Sequence, residues 1–326
     1  MSDPIIRQLI PGDANAIVGL FNRVYGDSYA NELFYDAPGI SSLMHAGQLF
    51  CVGAIDRDQL IAHMAMNRAG ELSTPELGNT VVDPDFRGGG LAWKVGAVLT
   101  ELCRSRGHGG YLHFPTTDHH IMQRQSVKQG FETGLMLGYI PLETHGQVGE
   151  KNKTRRSAAT IVYEPISKAR QRGQRVFVPG CYQALLHDIV GASGMPRIVE
   201  RCSAVNAGEN SVADLKVMER RGLLRLTFQR VAQNAVELIR QLVTAQLPGD
   251  LDVPCRQIDL RMDDPGIEFA TREAQKQGFV FSGWLPGFLG VDVLRLQSVA
   301  RSQTELAPSL ENATAKKILA AIISEL

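Results

Sequence analysis

Apolar and polar positions along the chain follow two alternating periods. Ile5–Ile10 is a short strand-like run, after which Ile17, Leu20, Phe21 and Val24 recur at helical spacing behind Asp13 as an N-cap. "GISSLMHAG" predicts a short helix. "LFCVGAID" and "QLIAHMAMNR" predict two strands joined by a polar turn at Arg57-Asp58, and "ELGNTVVDP" predicts a third. Leu91, Val95, Val98, Leu99 and Leu102 form one helical stripe. A strand "GYLHFPTT" and a helix "DHHIMQRQSVKQG" ending in glycine come next. Two more strands, "FETGLMLGYIP" and "SAATIVYEPI", flank "ETHGQVGEKNKTRR", a long basic stretch expected as a hairpin loop.

Part of this order then returns. "LLRLTFQRV" reads as a strand, "NAVELIRQLVTAQ" as a helix, "CRQIDLRM" as a strand and "DPGIEFATREAQKQG" as a helix, before the strands "FVFSGWLP" and "VDVLRLQSV". The tetrapeptide KQGF closes a helix and opens a strand at Lys128–Phe131 and again at Lys276–Phe279, which suggests a tandem duplication. The chain of 326 residues is long enough for about two domains. The expected class is α/β with α+β mixed sheets. The expected limits are a first domain at 1–166, a charged linker at 167–175 and a second domain at 176–326. The second ends in a helix whose stripe of Ile318, Leu319, Ile322, Ile323 and Leu326 should dock on its own domain.

Composition narrows the function. Lys plus Arg and Asp plus Glu are both 34, so the zero net charge argues against a whole-chain nucleic-acid binder but not against a local basic pocket. No apolar run approaches the ~20 residues of a membrane helix, and the N-terminus shows no signal-peptide pattern. The five cysteines include no C-x-x-C pair and leave one unpaired in any disulfide scheme, which points to a reducing compartment, the cytoplasm. His113, Asp118, His119 and His120 lack a recognised ligand spacing, so no metal is expected.

The chemistry concentrates in "TVVDPDFRGGGLAWK", Thr80–Lys94, where a strand, a glycine turn and a helix start adjoin. The first N–H groups of a helix lack intrahelical partners and carry the positive end of its dipole, and glycines let an anion reach the backbone. This is a candidate phosphate cradle; a plain glycine-rich turn is the alternative. It is not a P-loop, because G-x-x-x-x-G-K-[ST] is absent. It is not a dinucleotide fingerprint either, because the third glycine position falls on Trp93.

"VVDPDFRGGGLA" resembles the acyl-CoA motif [Q/R]-x-x-G-x-[G/A] of the GNAT acetyltransferase superfamily, with Arg87, Gly90 and Ala92 at its defined positions. "SVKQGFETG" resembles the family's later helix-to-strand passage. The resemblance covers about residues 5–165, and about 220–299 without the phosphate loop. It implies two GNAT-like domains in tandem, each a mostly antiparallel mixed sheet flanked by helices, with one intact and one degenerate cofactor site. It implies acetyl-CoA, or another acyl-CoA, as co-substrate. The backbone of Val81 and Val82 would lie along the pantetheine arm, and the pyrophosphate on Arg87, Gly88, Gly89, Gly90, Leu91 and Ala92. An amine of a small molecule or peptide would attack the thioester directly.

Glu76, on the strand before the loop, is the candidate base; an exposed strand carboxylate is the plainer reading. Where the family often carries a tyrosine acid the chain has Ser126, a far weaker acid, so His119, His120 or Tyr139 are the candidates to protonate the thiolate. The acidic-aromatic stretch "YGDSYANELFYD" supplies Asp27, Tyr29, Glu32, Tyr35 and Asp36 for a cationic acceptor, with Tyr139 nearby. The second half has "FQRVAQNAVEL" in place of the loop, without glycine, and is expected to wall the active site or form an interface, a homodimer included. The rival function is a non-catalytic acyl-CoA sensor or scaffold.

Overall fold

The computed structural model describes residues 3–68, 73–118, 120–126, 128, 130–141, 156–167, 173–205, 208–248, 253–302, 304 and 306–326. The first half runs β1 (Ile5–Gln8), α1 (Ala14–Tyr25), α2 (Ala37–His45), β2 (Leu49–Asp56), β3 (Gln59–Asn67), β4 (Glu76–Val82), α3 (Leu91–Ser105), β5 (Gly110–His113), α4 (His120–Ser126), β6 (Phe131–Pro141) and β7 (Arg156–Pro165). The second runs β8 (Gln174–Phe177), α5 (Gln183–Ser193), β9 (Arg197–Glu200), β10 (Val212–Met218), β11 (Leu223–Arg230), α6 (Ala235–Thr244), β12 (Cys255–Arg261), α7 (Ile267–Lys276), β13 (Val280–Leu285), β14 (Val293–Val299) and α8 (Ala313–Glu325). Residues 143–155, expected as a hairpin loop, lie outside the described residues.

Twelve strands form one mixed, mostly antiparallel sheet in the order β1-β2-β3-β4-β5-β7-β6-β13-β14-β12-β11-β10. The order β3-β4-β5-β7-β6 recurs as β10-β11-β12-β14-β13, and each corresponding pair runs in the same relative direction. The two sets meet edge to edge, β6 antiparallel to β13, with Gly134 opposite Gly283. A Cβ on either glycine would strike the backbone of the other strand. Each strand therefore needs its glycine for the two to approach.

Both faces of the first half's sheet are covered, which is why β2 reads as a continuous apolar run. Leu49 and Cys51 pack towards α1 and α2 with Ile17, Leu20 and Phe21, while Phe50, Val52 and Ala54 pack towards α3 with Leu91, Val95 and Leu99. On α3 the buried stripe ends with Cys103, and Val98 is exposed.

Three expectations change. Gln174 and Arg175, placed in the linker, already pair with Arg197 and Ile198 in the small parallel sheet β8–β9. The region from β8 to β10, left unassigned by pattern, holds that sheet, α5 and the edge strand β10. The C-terminal helix docks on both halves rather than its own alone. Glu132 of β6 accepts from Asn312 Nδ2 at 3.1 Å and from the Ala315 N–H at 2.9 Å, and Glu325 accepts from the Phe281 N–H of β13 at 3.3 Å. α8 thus lies across the seam. Among the described residues no helix is long and apolar enough to cross a membrane.

Candidate active site

The site begins with a bulge in β4. Between the pairs His63↔Val81 and Ala65↔Gly78, β3 contributes one residue and β4 contributes two, Asn79 and Thr80. Asn79 takes a φ of 53°, a left-handed conformation that asparagine tolerates better than most residues. It is held from three sides. Its side-chain oxygen accepts from Tyr29 Oη and Asn31 Nδ2, both at 3.1 Å, and its carbonyl accepts from His63 Nδ1 at 3.0 Å.

Beyond the bulge the sheet opens. β4 and β5 share a single register pair, Glu76↔Leu112. From Leu77 to Val82 the β5-facing edge of β4 has no ladder partner among the described residues. A strand with one free edge can take an extended chain as an added strand.

The glycine loop stands at the end of this slot. Gly88 and Gly90 have φ of 86° and 71°, which call for glycine, and Gly90 is the N-cap of α3. A Cβ built on Gly88, Gly89 or Gly90 meets nothing within 4 Å, so the backbone faces open space. The N–H groups of Gly88 to Trp93 have no backbone acceptor among the described residues. Leu91 and Val81 turn their side chains into the core, leaving only their backbones to the slot; Ala92 is half-buried. The Arg87 guanidinium turns back to the Val82 carbonyl at 3.2 Å.

The residues expected around the acceptor divide. Tyr29 and Tyr35 interlock, the Tyr29 N–H donating to Tyr35 Oη at 2.9 Å, and burial pushes the Tyr29 phenol up. Asp36 instead caps α2, accepting from the Gly39 N–H at 3.1 Å. Pro38 two residues on was the sequence signal for that cap. Glu32 pairs with Arg220 at 3.5 Å. The Tyr139 hydroxyl accepts from Arg221. Glu76 is half-buried, with no cation within 4 Å among the described residues.

Ser126 is buried and donates to the Met122 carbonyl of its own helix at 2.7 Å. His119 lies outside the described residues. His63 is buried and His113 half-buried, each with a buried Nε2 that has no hydrogen-bond partner among the described residues, and desolvation lowers each to about 4, so both are neutral at pH 7. Asn79, His63, Arg220 and Arg221 were not singled out from sequence. An apolar cavity of about 560 Å³ lies in the second half, walled by Val176, Leu186, Val190, Met195 and Trp284, and no residue of the loop or slot lines it.

No protein-family model and no curated protein matches the chain. Similar solved structures include acetyltransferases of the GNAT family. One from Streptococcus pneumoniae is 13% identical with a TM-score of 0.41, covering 50% of this chain and 100% of that one. An N-acetyltransferase from Staphylococcus aureus Mu50 is 14% identical with a TM-score of 0.40, covering 50% and 99%. The PaiA N-acetyltransferase of Thermoplasma acidophilum, in complex with coenzyme A, is 12% identical with a TM-score of 0.36, covering 51% and 99%.

Proposed function

We propose that this chain is an acyl-CoA-dependent N-acyltransferase of the GNAT type, moving acetyl from acetyl-CoA to an amine of a small molecule or peptide. The observation that carries it is the parting of β4 from β5 in front of an open glycine loop at the N-terminus of α3. The free edge of β4 offers hydrogen bonds to the pantetheine arm. The N–H groups of Gly88 to Ala92 and the α3 dipole receive the pyrophosphate. A backbone N–H near Val82 polarises the thioester carbonyl. Glu76 takes the proton of the attacking amine, directly or through water, and His119 is the candidate to return one to the thiolate. In this reading residues 1–166 form the acyl-CoA domain, 167–175 a short connection, and 176–326 a degenerate copy that walls the acceptor side. The protein works in the cytoplasm.

Calorimetry with acetyl-CoA, followed by thiol release over an amine panel, tests the reading. One acetyl-CoA per chain and acceptor-dependent CoA release are expected; no binding would overturn it. The sensor reading is favoured by the Ser126 hydroxyl being tied to its own helix. Tight binding without turnover on any amine would select it.

A further inference from the structure

The second half sets cations against the acceptor side of the first. The turn Glu219–Arg221 ends at Gly222, whose φ is 58° and whose added Cβ would meet Pro254 and Arg156. Arg156 of β7 donates to the Arg221 carbonyl and, at 2.7 Å, to that of Gly138. The turn is thus pinned from the first half, and its two arginines do different things.

Arg220 lies 4.9 Å from the centre of the Tyr35 ring and reaches the Tyr29 carbonyl at 3.4 Å. With Glu32 paired to it and Asp36 spent on a helix cap, the loop keeps less free negative charge than its sequence suggests. Arg221 donates to the Tyr139 hydroxyl and has no carboxylate within 4 Å among the described residues.

The neighbouring charges do not balance. Arg295 takes Asp259 through two bonds of 2.7 Å, and Arg225 shares that carboxylate at 3.8 Å while bonding Gln257. Lys216, opposite Arg225 in the β10–β11 ladder, has no carboxylate partner among the described residues. The field of Glu76 reaches Arg221 and Lys216. Burial works against the Arg221 charge, and the field of Glu76 and the hydrogen bond to Tyr139 favour it. Among the described residues, half-buried Arg221 has no carboxylate partner and Glu76 no cation within 4 Å, and the turn that carries Arg221 packs through Arg220 on Tyr29, which bonds Asn79 three residues from Glu76, with exposed Lys216 alongside on β10. A guanidinium held partly out of water without an anion is costly, and its planar fork fits a carboxylate through two parallel bonds.

We propose that the acceptor is an amine that also bears a carboxylate, and that Arg221, aided by Lys216, receives the carboxylate while the amine faces Glu76. This rests on the acyltransferase reading and makes the second half part of the acceptor site.

The test measures thiol release from acetyl-CoA by the full chain. Acceptors are α- and ω-amino acids and dipeptides, each beside its methyl ester and the alkylamine lacking the carboxylate. The acids should exceed their esters about 10- to 100-fold in kcat/KM, the range for a hydrogen-bonded charge. Arg221→Ala should raise KM for the acids by a similar factor while leaving KM for the esters and acetyl-CoA affinity unmoved, and Arg221→Lys should recover part of the loss. Equal rates on acids and esters, or an unchanged preference in Arg221→Ala, overturn the carboxylate assignment and leave the acyltransferase reading standing. No acetyl-CoA binding, or no transfer to any amine, overturns both. If Arg221→Ala does not fold, Lys216→Ala on the exposed strand β10 and Arg221→Lys carry the same comparison.

Discussion

The two halves of the sheet share a strand order and differ where an acyl-CoA would have to enter. In the first half, β4 and β5 hold one register pair; in the second, β11 and β12 hold six, from Leu223↔Cys255 to Phe228↔Leu260. Asn79 bulges β4 away from its neighbour's line, whereas β11 runs in register with β10 until its last residues. The loops differ in the same sense. The N–H groups of Gly88 to Trp93 have no backbone acceptor among the described residues, but those of Val231 and Ala232 are taken by Asp264 Oδ2 at 2.7 Å and Ser211 Oγ at 2.8 Å. Glu237 also puts a negative charge in the first turn of α6. A strand edge kept open must find partners elsewhere or pay for solvation. The second half satisfies its backbone internally and has no such slot, and its turn at Arg220-Arg221 contacts Tyr29 and Tyr35 of the first half through Arg220.

The largest expected effect tests that contrast directly. Gly89 has no positive φ and open space around its Cβ position, so Gly89→Glu should fold normally. A carboxylate there opposes a phosphate, and like-charge juxtaposition costs several kcal/mol, so acetyl-CoA affinity should fall about 100-fold or more. Gln233→Glu, on the exposed part of the corresponding loop, should leave affinity unchanged. Calorimetry on both variants decides, and a loss with Gln233→Glu would break the contrast. Next in size, Glu76→Gln should slow turnover about 100-fold, the scale for losing a general base, with acetyl-CoA affinity kept. Unaltered turnover returns Glu76 to an ordinary strand residue.

The seam gives a third prediction. Gly283→Val forces a side chain into the backbone around Gly134, and overpacking of this kind costs about 1–3 kcal/mol. Urea unfolding should show both halves losing stability together, because α8 bridges β6 and β13. Destabilisation confined to the second half would separate them.

Acid should act unequally on the halves. His63 and His113 have folded pKa values lowered from 6.5 to about 4 by burial, so the unfolded state binds more protons below about pH 6.5. Their stabilisation is complete above pH 6.5 and is lost as pH falls towards 4. Glu132 and Glu164, raised by burial, work the opposite way at lower pH. Of the eight histidines only His187, which is exposed, lies beyond residue 166. The fall in unfolding free energy from pH 7 to pH 5 should be about 2 kcal/mol smaller in His63→Leu than in the parent. Hydrogen exchange should show β3 and β5 opening before β12 and β14. An equal fall in parent and variant would remove His63 from the account.

Much of this was legible from period and punctuation. Apart from β8, β9 and β10, the strands of both halves stand where alternating or continuous apolar runs placed them, and KQGF marks the same helix-to-strand junction twice. The glycine turn at the start of α3 was legible from Gly88, Gly89 and Gly90 between a strand run and a helical stripe. What escaped depends on distant partners. Arg220 and Arg221 carry no local signal of their contacts, and only the edge-to-edge seam brings Arg220 against Tyr29 and Tyr35 and Arg221 against Tyr139, far off in sequence. The stripe of α8 announced an apolar face without saying that two strands from different halves share it. The Asn79 bulge had a weak local mark, Gly78-Asn79 inside a strand, which pattern alone does not separate from an ordinary strand.

The smallest effect is expected at Ser126, and the reason is again the other half. Ser126 stands four residues before Gly130 on the approach to β6, and Ala274 stands four before Gly278 on the approach to β13. Ser126→Ala therefore makes the first half match the second at that place. The hydroxyl is buried and spends its proton on the Met122 carbonyl within α4, and such i−4 bonds contribute little or slightly oppose a helix. Alanine removes that bond, improves helix propensity and leaves no buried polar group stranded except a carbonyl that retains its place in the helix. Stability should change by less than about 0.5 kcal/mol and turnover by less than about twofold. A loss of tenfold or more at saturating acetyl-CoA, with affinity unchanged, would mean that Ser126 leaves Met122 in the working complex and acts on the thiolate after all. The two halves would then differ in an acid group as well as in the slot between strands.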